Sequence, residues 1–308
     1  MKNLKAAFGR LFSCSDGGAL HRQGPLLGRR LPAGRVIRLP LLVPLLSCAL
    51  LTGCAGGLGQ ADAPAGAGFW AERSNQPAWK DAATGPASHI WQHHVLPGKS
   101  ATRFRATRLD GRPAMGADAE ASASLLRRKV RIEAADLPAV HFSWRVPELI
   151  AGADMALRHA DDSPVRIVLA FEGDRRQFSA RDGLLSELAL TLTGEAMPYA
   201  TLMYVWCNTR PVGTVIRSPR TDRIRKLVVE SGPARLDRWL EYRRDIRADF
   251  ELAFGEAAGA LVGVAIMTDS DNTRSHARAW YGPVQLVERA ADSPPGPAPS
   301  LPDSGKPL

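Results

Sequence analysis

Short runs of β-branched and aromatic residues, each bounded by Gly, Pro, Asp or Asn, recur from residue 141 to residue 288 and restrict what this chain can form. In residues 141–146, Phe142, Trp144 and Val146 alternate with polar neighbours, which is the period of a half-buried strand. Residues 261–268 are apolar on both faces and are expected at the centre of a sheet. Similar runs occupy residues 166–171, 202–206, 224–230, 239–243 and 284–288. Many short strands separated by turn residues predict an all-β, two-sheet sandwich.

One segment has the period of a helix. Ile246, Phe250 and Phe254 recur every four residues, Asp245 precedes them as an N-cap, and Gly255 follows them where helices commonly end. We therefore predict one short helix, which packs its apolar face on the core and covers one mouth of the sandwich.

The N-terminal region carries an export signal. An apolar run begins at Leu39 and ends in Leu51-Thr52-Gly53-Cys54; it contains two prolines and is shorter than the roughly 20 apolar residues of a membrane-spanning helix. Its ending resembles the lipobox of bacterial lipoproteins, which implies a lipidated Cys54 and removal of residues 1–53. The alternative is a signal peptide cut elsewhere, with Cys54 an ordinary residue.

The resemblance to lipoproteins also implies a location. It places the protein in the cell envelope, anchored in a membrane and facing the periplasm. Ala55, which follows the cysteine, is similar to the pattern of lipoproteins sent to the outer rather than the inner membrane.

Four regions follow from the composition. Residues 1–53 are the predicted signal peptide, and residues 54–68 are the lipidated cysteine with a flexible tether of Gly and Ala that reaches roughly 20 Å. Residues 69–290 are the β-sandwich domain, and residues 291–308, rich in Pro, Ser and Gly, are a predicted disordered tail.

No nucleic-acid partner is expected. Residues 1–53 hold eight of the 40 Lys and Arg but one of the 31 Asp and Glu, so the formal charge of +9 belongs mostly to the leader.

Three segments identify the chain as resembling a bacterial family of unknown function, DUF3047. They are Pro198-Tyr199-Ala200-Thr201-Leu202-Met203-Tyr204-Val205-Trp206, then Trp239 with Arg244-Asp245-Ile246 and Phe254-Gly255-Glu256, and Gly263-Val264-Ala265-Ile266-Met267-Thr268-Asp269-Ser270-Asp271-Asn272-Thr273. The resemblance covers about residues 69–288 and implies no reaction. Cys207 stands where the family usually has Asp.

A second resemblance concerns architecture. The acidic turn at residues 269–272 and the following strand through Trp280 and Val284 are similar to the last hairpin of galactose-binding-like jelly rolls, which often bind carbohydrates. It implies a jelly-roll-like sandwich, and fold alone implies no function.

Two polar turns are candidate ligand sites. The first contains Asp161, Asp162 and Arg166, and the second contains Asp269, Asp271 and Asn272. Their oxygens suit sugar hydroxyls or calcium, although the spacing lacks the glycine and distal glutamate of an EF-hand. The structural alternative is that the first two carboxylates cap a turn and pair with neighbouring arginines. No cofactor other than this calcium is expected.

Tyr204 and Trp206 lie two residues apart on one face of their strand. If exposed, they form a stacking platform for a sugar ring; if buried, they are core residues, which the strand's apolar composition favours.

These features predict a lipid-anchored envelope protein with a non-catalytic β-sandwich that binds a ligand such as a carbohydrate. Two alternatives are open: an enzyme acting on envelope polysaccharide through the carboxylates of the two turns, and a structural adaptor for an envelope protein complex. Common hydrolase, zinc and nucleotide-binding motifs are absent from the sequence, which argues weakly against an enzyme.

Overall fold

The structure is a computed structural model that describes residues 68–75 and 91–289. The predicted signal peptide, Cys54, nearly all of the tether and the predicted tail lie outside these residues. The described part has three α-helices, α1 (Gly68–Asn75), α2 (Ala180–Thr193) and α3 (Ile246–Phe254). Its strands are β1 (Gln92–Val95), β2 (Arg103–Leu109), β3 (Arg112–Glu120), β4 (Ala123–Ile132), β5 (Ala139–Arg145), β6 (Ser163–Phe171), β7 (Ala200–Cys207), β8 (Val215–Arg217), β9 (Ile224–Ser231), β10 (Leu240–Asp245), β11 (Leu261–Asp269), β12 (His276–Tyr281) and β13 (Gln285–Val287).

The strands form two sheets. The seven-stranded sheet has the order β1-β4-β11-β6-β7-β9-β8, and the six-stranded sheet has the order β10-β5-β12-β3-β2 with β13 also paired to β5. All pairs are antiparallel except β7 with β9. β11 lies between β4 and β6, as its apolar faces predict. The predicted all-β, two-sheet class is confirmed.

The core lies between the sheets. Phe142 and Trp144 of β5 face Tyr204 of β7 across it, and the rings of Phe142 and Tyr204 stack with centroids 5.7 Å apart. Tyr281 of β12 also crosses the core, since its hydroxyl donates to the carbonyl of Met267 at 2.6 Å. These side chains therefore define the inner face of each strand, and their sequence neighbours point outward.

Helix α3 forms where the sequence predicts it. Asp245 caps its first turn by accepting from the backbone N–H groups of residues 247 and 248, and Gly255 ends it with a positive φ of 71°. Ile246 and Phe250 are fully buried, and the ring of Phe250 lies 4.6 Å from that of Phe171. Packing on the core is thus confirmed.

Two further helices add to the one predicted. Helix α1 is placed by Trp70, whose indole N–H donates to the carbonyl of Tyr281 at 3.0 Å and whose ring is buried. This is a tertiary contact that local sequence does not encode. Helix α2 does carry local signals, because Ser179 caps its start and Gly194, with a φ of 75°, ends it. In the described part of the chain, no helix has both the length and the apolarity to span a membrane.

Candidate functional site

The structure brings the predicted charged residues together in an interior cluster. Arg166 donates from Nε to Asp269 Oδ1 at 2.9 Å and from Nη2 to Asp269 Oδ2 at 3.1 Å, and Nη2 also reaches Asp161 Oδ1 at 3.2 Å. Lys226 donates from Nζ to the same Asp161 oxygen at 2.6 Å. We call Asp161, Arg166, Lys226 and Asp269 the buried ionic cluster, since all four are at most 5% exposed. The ion-pair alternative for Asp161 is thereby confirmed.

Asp162 and Asn272 are joined to the edge of this cluster. Asp162 accepts from Asn272 Nδ2 at 2.8 Å and from the backbone N–H and hydroxyl of Thr273 at 2.7 and 2.6 Å. Asp271 is ion-paired with Lys99. Both predicted turns therefore meet, and their carboxylates hold the two turns together.

Burial shifts the proton affinities in the cluster. Loss of hydration, together with repulsion from Asp162 and Asp161, raises the pKa of Asp269 to about 7 against the attraction of Arg166. Loss of hydration lowers the pKa of Lys226 to about 8, although Asp161 favours its charged form. Burial thus favours the neutral forms of Asp269 and Lys226, whereas their ion-pair partners favour the charged forms.

Oxygens of Asp162, Asp269 and Asp271 all lie within 4.8 Å of one another, a spacing that a cation could bridge. Protein donors already bond to all three, so a cation would compete with Arg166 and Lys99. Calcium binding by these residues stays a prediction.

Tyr204 and Trp206 are core residues. Their exposed fractions are 0% and 1%, the Tyr204 hydroxyl donates to Asp249 at 2.9 Å, and the Trp206 indole N–H donates to the carbonyl of Gly232 at 3.0 Å. A sugar cannot stack on rings that are packed between two sheets. The interpretation of this pair as a stacking platform is wrong, and the core alternative is confirmed.

A different tryptophan does face solvent. In β12, Ala277, Ala279 and Tyr281 point into the core, so Trp280 points outward and is partly exposed. Its Cδ1 and Nε1 atoms lie 3.5 Å from the position that a Cβ atom of Gly116 would take. The indole ring therefore lies over the backbone of β3, where a glycine leaves room for it.

Strand register extends this arrangement across the sheet. Arg105 pairs with Gly116, Gly116 with Trp280, and Trp280 with Arg145, so the four residues form one line on the outer face across β2, β3, β12 and β5. We call this line the platform row. Trp239, immediately before β10, lies next to its end, because its indole N–H and the Arg145 guanidinium donate to the same oxygen of Asp110 at 3.1 and 2.5 Å.

Ion pairs hold most of the surrounding arginines in place. Arg145 bonds to Asp237 as well as Asp110, while Arg103 and Arg278 both bond to Asp118, at 2.9 and 3.2 Å. Asp110 owes its position to the two-residue turn between β2 and β3, which it forms with Gly111, both at positive φ. The platform row thus combines a partly exposed ring with preorganised charged groups.

An open cavity of about 360 Å³ lies where β4 and β6 end and β11 begins, at the opposite end of the seven-stranded sheet from the buried ionic cluster. Arg131 bridges two of its lining residues, since its side chain contacts Glu133 and Glu172 at 2.9 Å each. All three side chains are more than half exposed, so these are solvated pairs.

The platform row was not predicted from the sequence. A signal is present in His276–Tyr281, where Trp280 alternates with small or buried residues, but alternation alone does not tell which face of a strand meets water. Gly116 and Arg105 become its neighbours only through pairing across three strands.

Fold and site together define a two-sheet β-sandwich protein with a solvent-facing aromatic and cationic surface on one sheet. The chain belongs to the family described as Protein of unknown function (DUF3047), whose model matches residues 89–285. No curated protein matches the chain.

Solved structures similar to the chain include three proteins of low sequence identity. The Family 11 carbohydrate-binding module of the cellulase Lic26A-Cel5E of Clostridium thermocellum is 6% identical with a TM-score of 0.32, over 68% of this chain and 92% of that one. The xyloglucanase domain of NopAA of Sinorhizobium fredii is 9% identical with a TM-score of 0.35, over 65% and 93%. A cellulase derived from Cel12A of Rhodothermus marinus is 11% identical with a TM-score of 0.36, over 64% and 90%. The fold class assigned here rests on the strand pairing of this chain itself.

Proposed function

We propose that this protein is a lipid-anchored protein of the cell envelope whose β-sandwich binds a carbohydrate without catalysing its turnover. The observation that carries the binding part is Trp280, a partly exposed indole on the outer face of a sheet beside Gly116 and Arg145. Sequence supports the anchoring part through the lipobox-like ending at Cys54.

A tryptophan at such a position suits a sugar. The indole offers a broad apolar face to the C–H groups of a pyranose ring, and its N–H remains a donor. The Trp280 indole has no hydrogen bond, ring contact or cation contact with another described residue, so its ring is free for a ligand. Arginine and aspartate side chains on neighbouring strands supply groups for sugar hydroxyls.

The catalytic alternative has less support at the predicted carboxylates. Asp161 and Asp269 are ion-paired to Arg166 and almost wholly buried, so a substrate would have to open the cluster to reach them. General acid–base catalysis requires carboxylates within hydrogen-bond reach of the substrate. A binding role is therefore the function that the geometry supports best.

Binding of glycans to the full-length protein in detergent, by array and calorimetry, tests the proposal. We expect saturable binding to at least one envelope polysaccharide, and Trp280→Ala to weaken it about tenfold, a loss of about 1.4 kcal/mol. Leu184→Ala is the matched control, since Leu184 is an apolar residue, 70% exposed, of helix α2, which connects β6 and β7 of the seven-stranded sheet. Absence of binding to every polysaccharide, or equal affinity in both variants, would contradict the proposal.

A further inference from the structure

Among the described residues, one cation of the platform row has no carboxylate partner. Arg105 is exposed and has neither an ion pair nor a side-chain hydrogen bond among the described residues. The neighbouring arginines differ in this respect, because Arg103 and Arg278 share Asp118 and Arg145 is paired with two aspartates.

Arg105 also stands at a defined distance from the ring. It is two strands away from Trp280, which places their Cα atoms about 10 Å apart, since adjacent strands are separated by about 4.8 Å. Gly116 occupies the strand between them, and the Trp280 indole ring lies over it on the side of β12 that faces β2 and Arg105. A chain of sugar rings that lies across the strands would therefore pass from the indole to the guanidinium.

We infer that the ligand of the platform row is an anionic polysaccharide, with one ring stacked on Trp280 and an acidic group of the same chain paired with Arg105. The inference rests on the proposed carbohydrate binding and adds the chemical class of the ligand. The acidic group is a sugar carboxylate or a sugar phosphate, because the planar guanidinium donates two parallel hydrogen bonds to either.

Affinity measurements with full-length protein distinguish an acidic from a neutral ligand, and a carboxylate from a phosphate. The probes are alginate and polygalacturonate as carboxylate glycans, a phosphomannan as a phosphate glycan, and dextran and laminarin as neutral glycans. We expect an acidic glycan to bind, Arg105→Gln to weaken it about tenfold, and Arg105→Lys to recover part of the loss. Raising the salt concentration should weaken the parent and leave Arg105→Gln nearly unchanged, because salt screens an exposed charge pair.

Arg181→Gln is the matched control, since Arg181 on α2 is also exposed and has no ion pair among the described residues. Preference for the carboxylate or the phosphate glycans identifies the acidic group. If the glycans that require Trp280 are neutral and Arg105→Gln binds them as the parent does, the inference is wrong while the proposed function stands. If no glycan binding depends on Trp280, both are wrong.

Discussion

Trp280 occupies the space above Gly116, with its Cδ1 and Nε1 atoms 3.5 Å from where a Cβ atom of residue 116 would stand. The two residues are opposite each other on β12 and β3. A methyl group at 116 would be in ordinary van der Waals contact with the ring, whereas a larger side chain would occupy the ring's own place. The position of the ring thus depends on the size of its cross-strand neighbour.

Gly116→Leu should displace the Trp280 ring and weaken glycan binding about as much as Trp280→Ala does. Gly116→Ala is the control and should bind nearly as the parent protein, since Gly116 does not have a positive φ and an alanine fits there. Calorimetry gives the affinities, and circular dichroism checks that both variants fold. Equal affinities for the two variants would show that the ring does not need this space.

Arg166→Met should destabilise the fold by about 3–5 kcal/mol, because it leaves Asp269 buried without its guanidinium partner. Arg176→Met is the control, since the pair of Arg176 with Asp174 is solvent-exposed and its loss should leave stability nearly unchanged. The free energy of unfolding is measured in urea. The double variant Arg166→Met, Asp269→Leu should recover much of the stability, and failure to do so would argue against a charge-pair explanation.

Lys226 should make stability depend on pH in the alkaline range. Its pKa is lowered from 10.5 to about 8 in the folded protein, so between these values the folded state binds fewer protons than the unfolded state. The free energy of unfolding therefore gains a contribution as pH rises from 8 to 10.5, and this contribution is lost as pH falls through 8.

Lys226→Met removes the titrating group, while Asp161 keeps its pairs with Arg166 and Arg220. The difference in unfolding free energy between parent and variant should thus grow in favour of the parent from pH 8 to pH 10. Urea unfolding at several pH values measures it. A difference that is constant over this range would mean that Lys226 keeps its ordinary pKa.

Cys54 should carry the lipid. We expect metabolic labelling with a palmitate analogue to mark the parent protein, and Cys54→Ala to abolish the label and release the protein from the membrane fraction. Cys207→Ala is the matched control, because Cys207 is a buried free cysteine of the sandwich and should leave labelling unchanged. An unlabelled parent protein that fractionates like Cys54→Ala would contradict the predicted lipid anchor.

Local patterns were sufficient for much of the fold. Alternation in the strand that contains Phe142 and Trp144 identifies its inner face, and the capping residues Asp245 and Gly255 delimit α3, because these signals arise from neighbours along the chain. The same reasoning found the charged turns at Asp161 and Asp269 but not their burial. The two aspartates are buried because residues distant in sequence pack around them, such as Lys226, which lies 65 residues after Asp161 and bonds to it.

The sequence by itself determined an all-β class, since strand periodicity, caps and turn residues act over a few positions. It also showed an N-terminal leader that ends in a lipobox-like motif. Only the tertiary structure decided which tryptophan meets solvent, because Trp206 in β7 and Trp280 in β12 both lie inside strands between apolar or aromatic neighbours. Which face of a strand becomes the outer one depends on the sheet packed against the other face. Pairing across the sheet then brings Gly116 and Arg105 to the exposed ring.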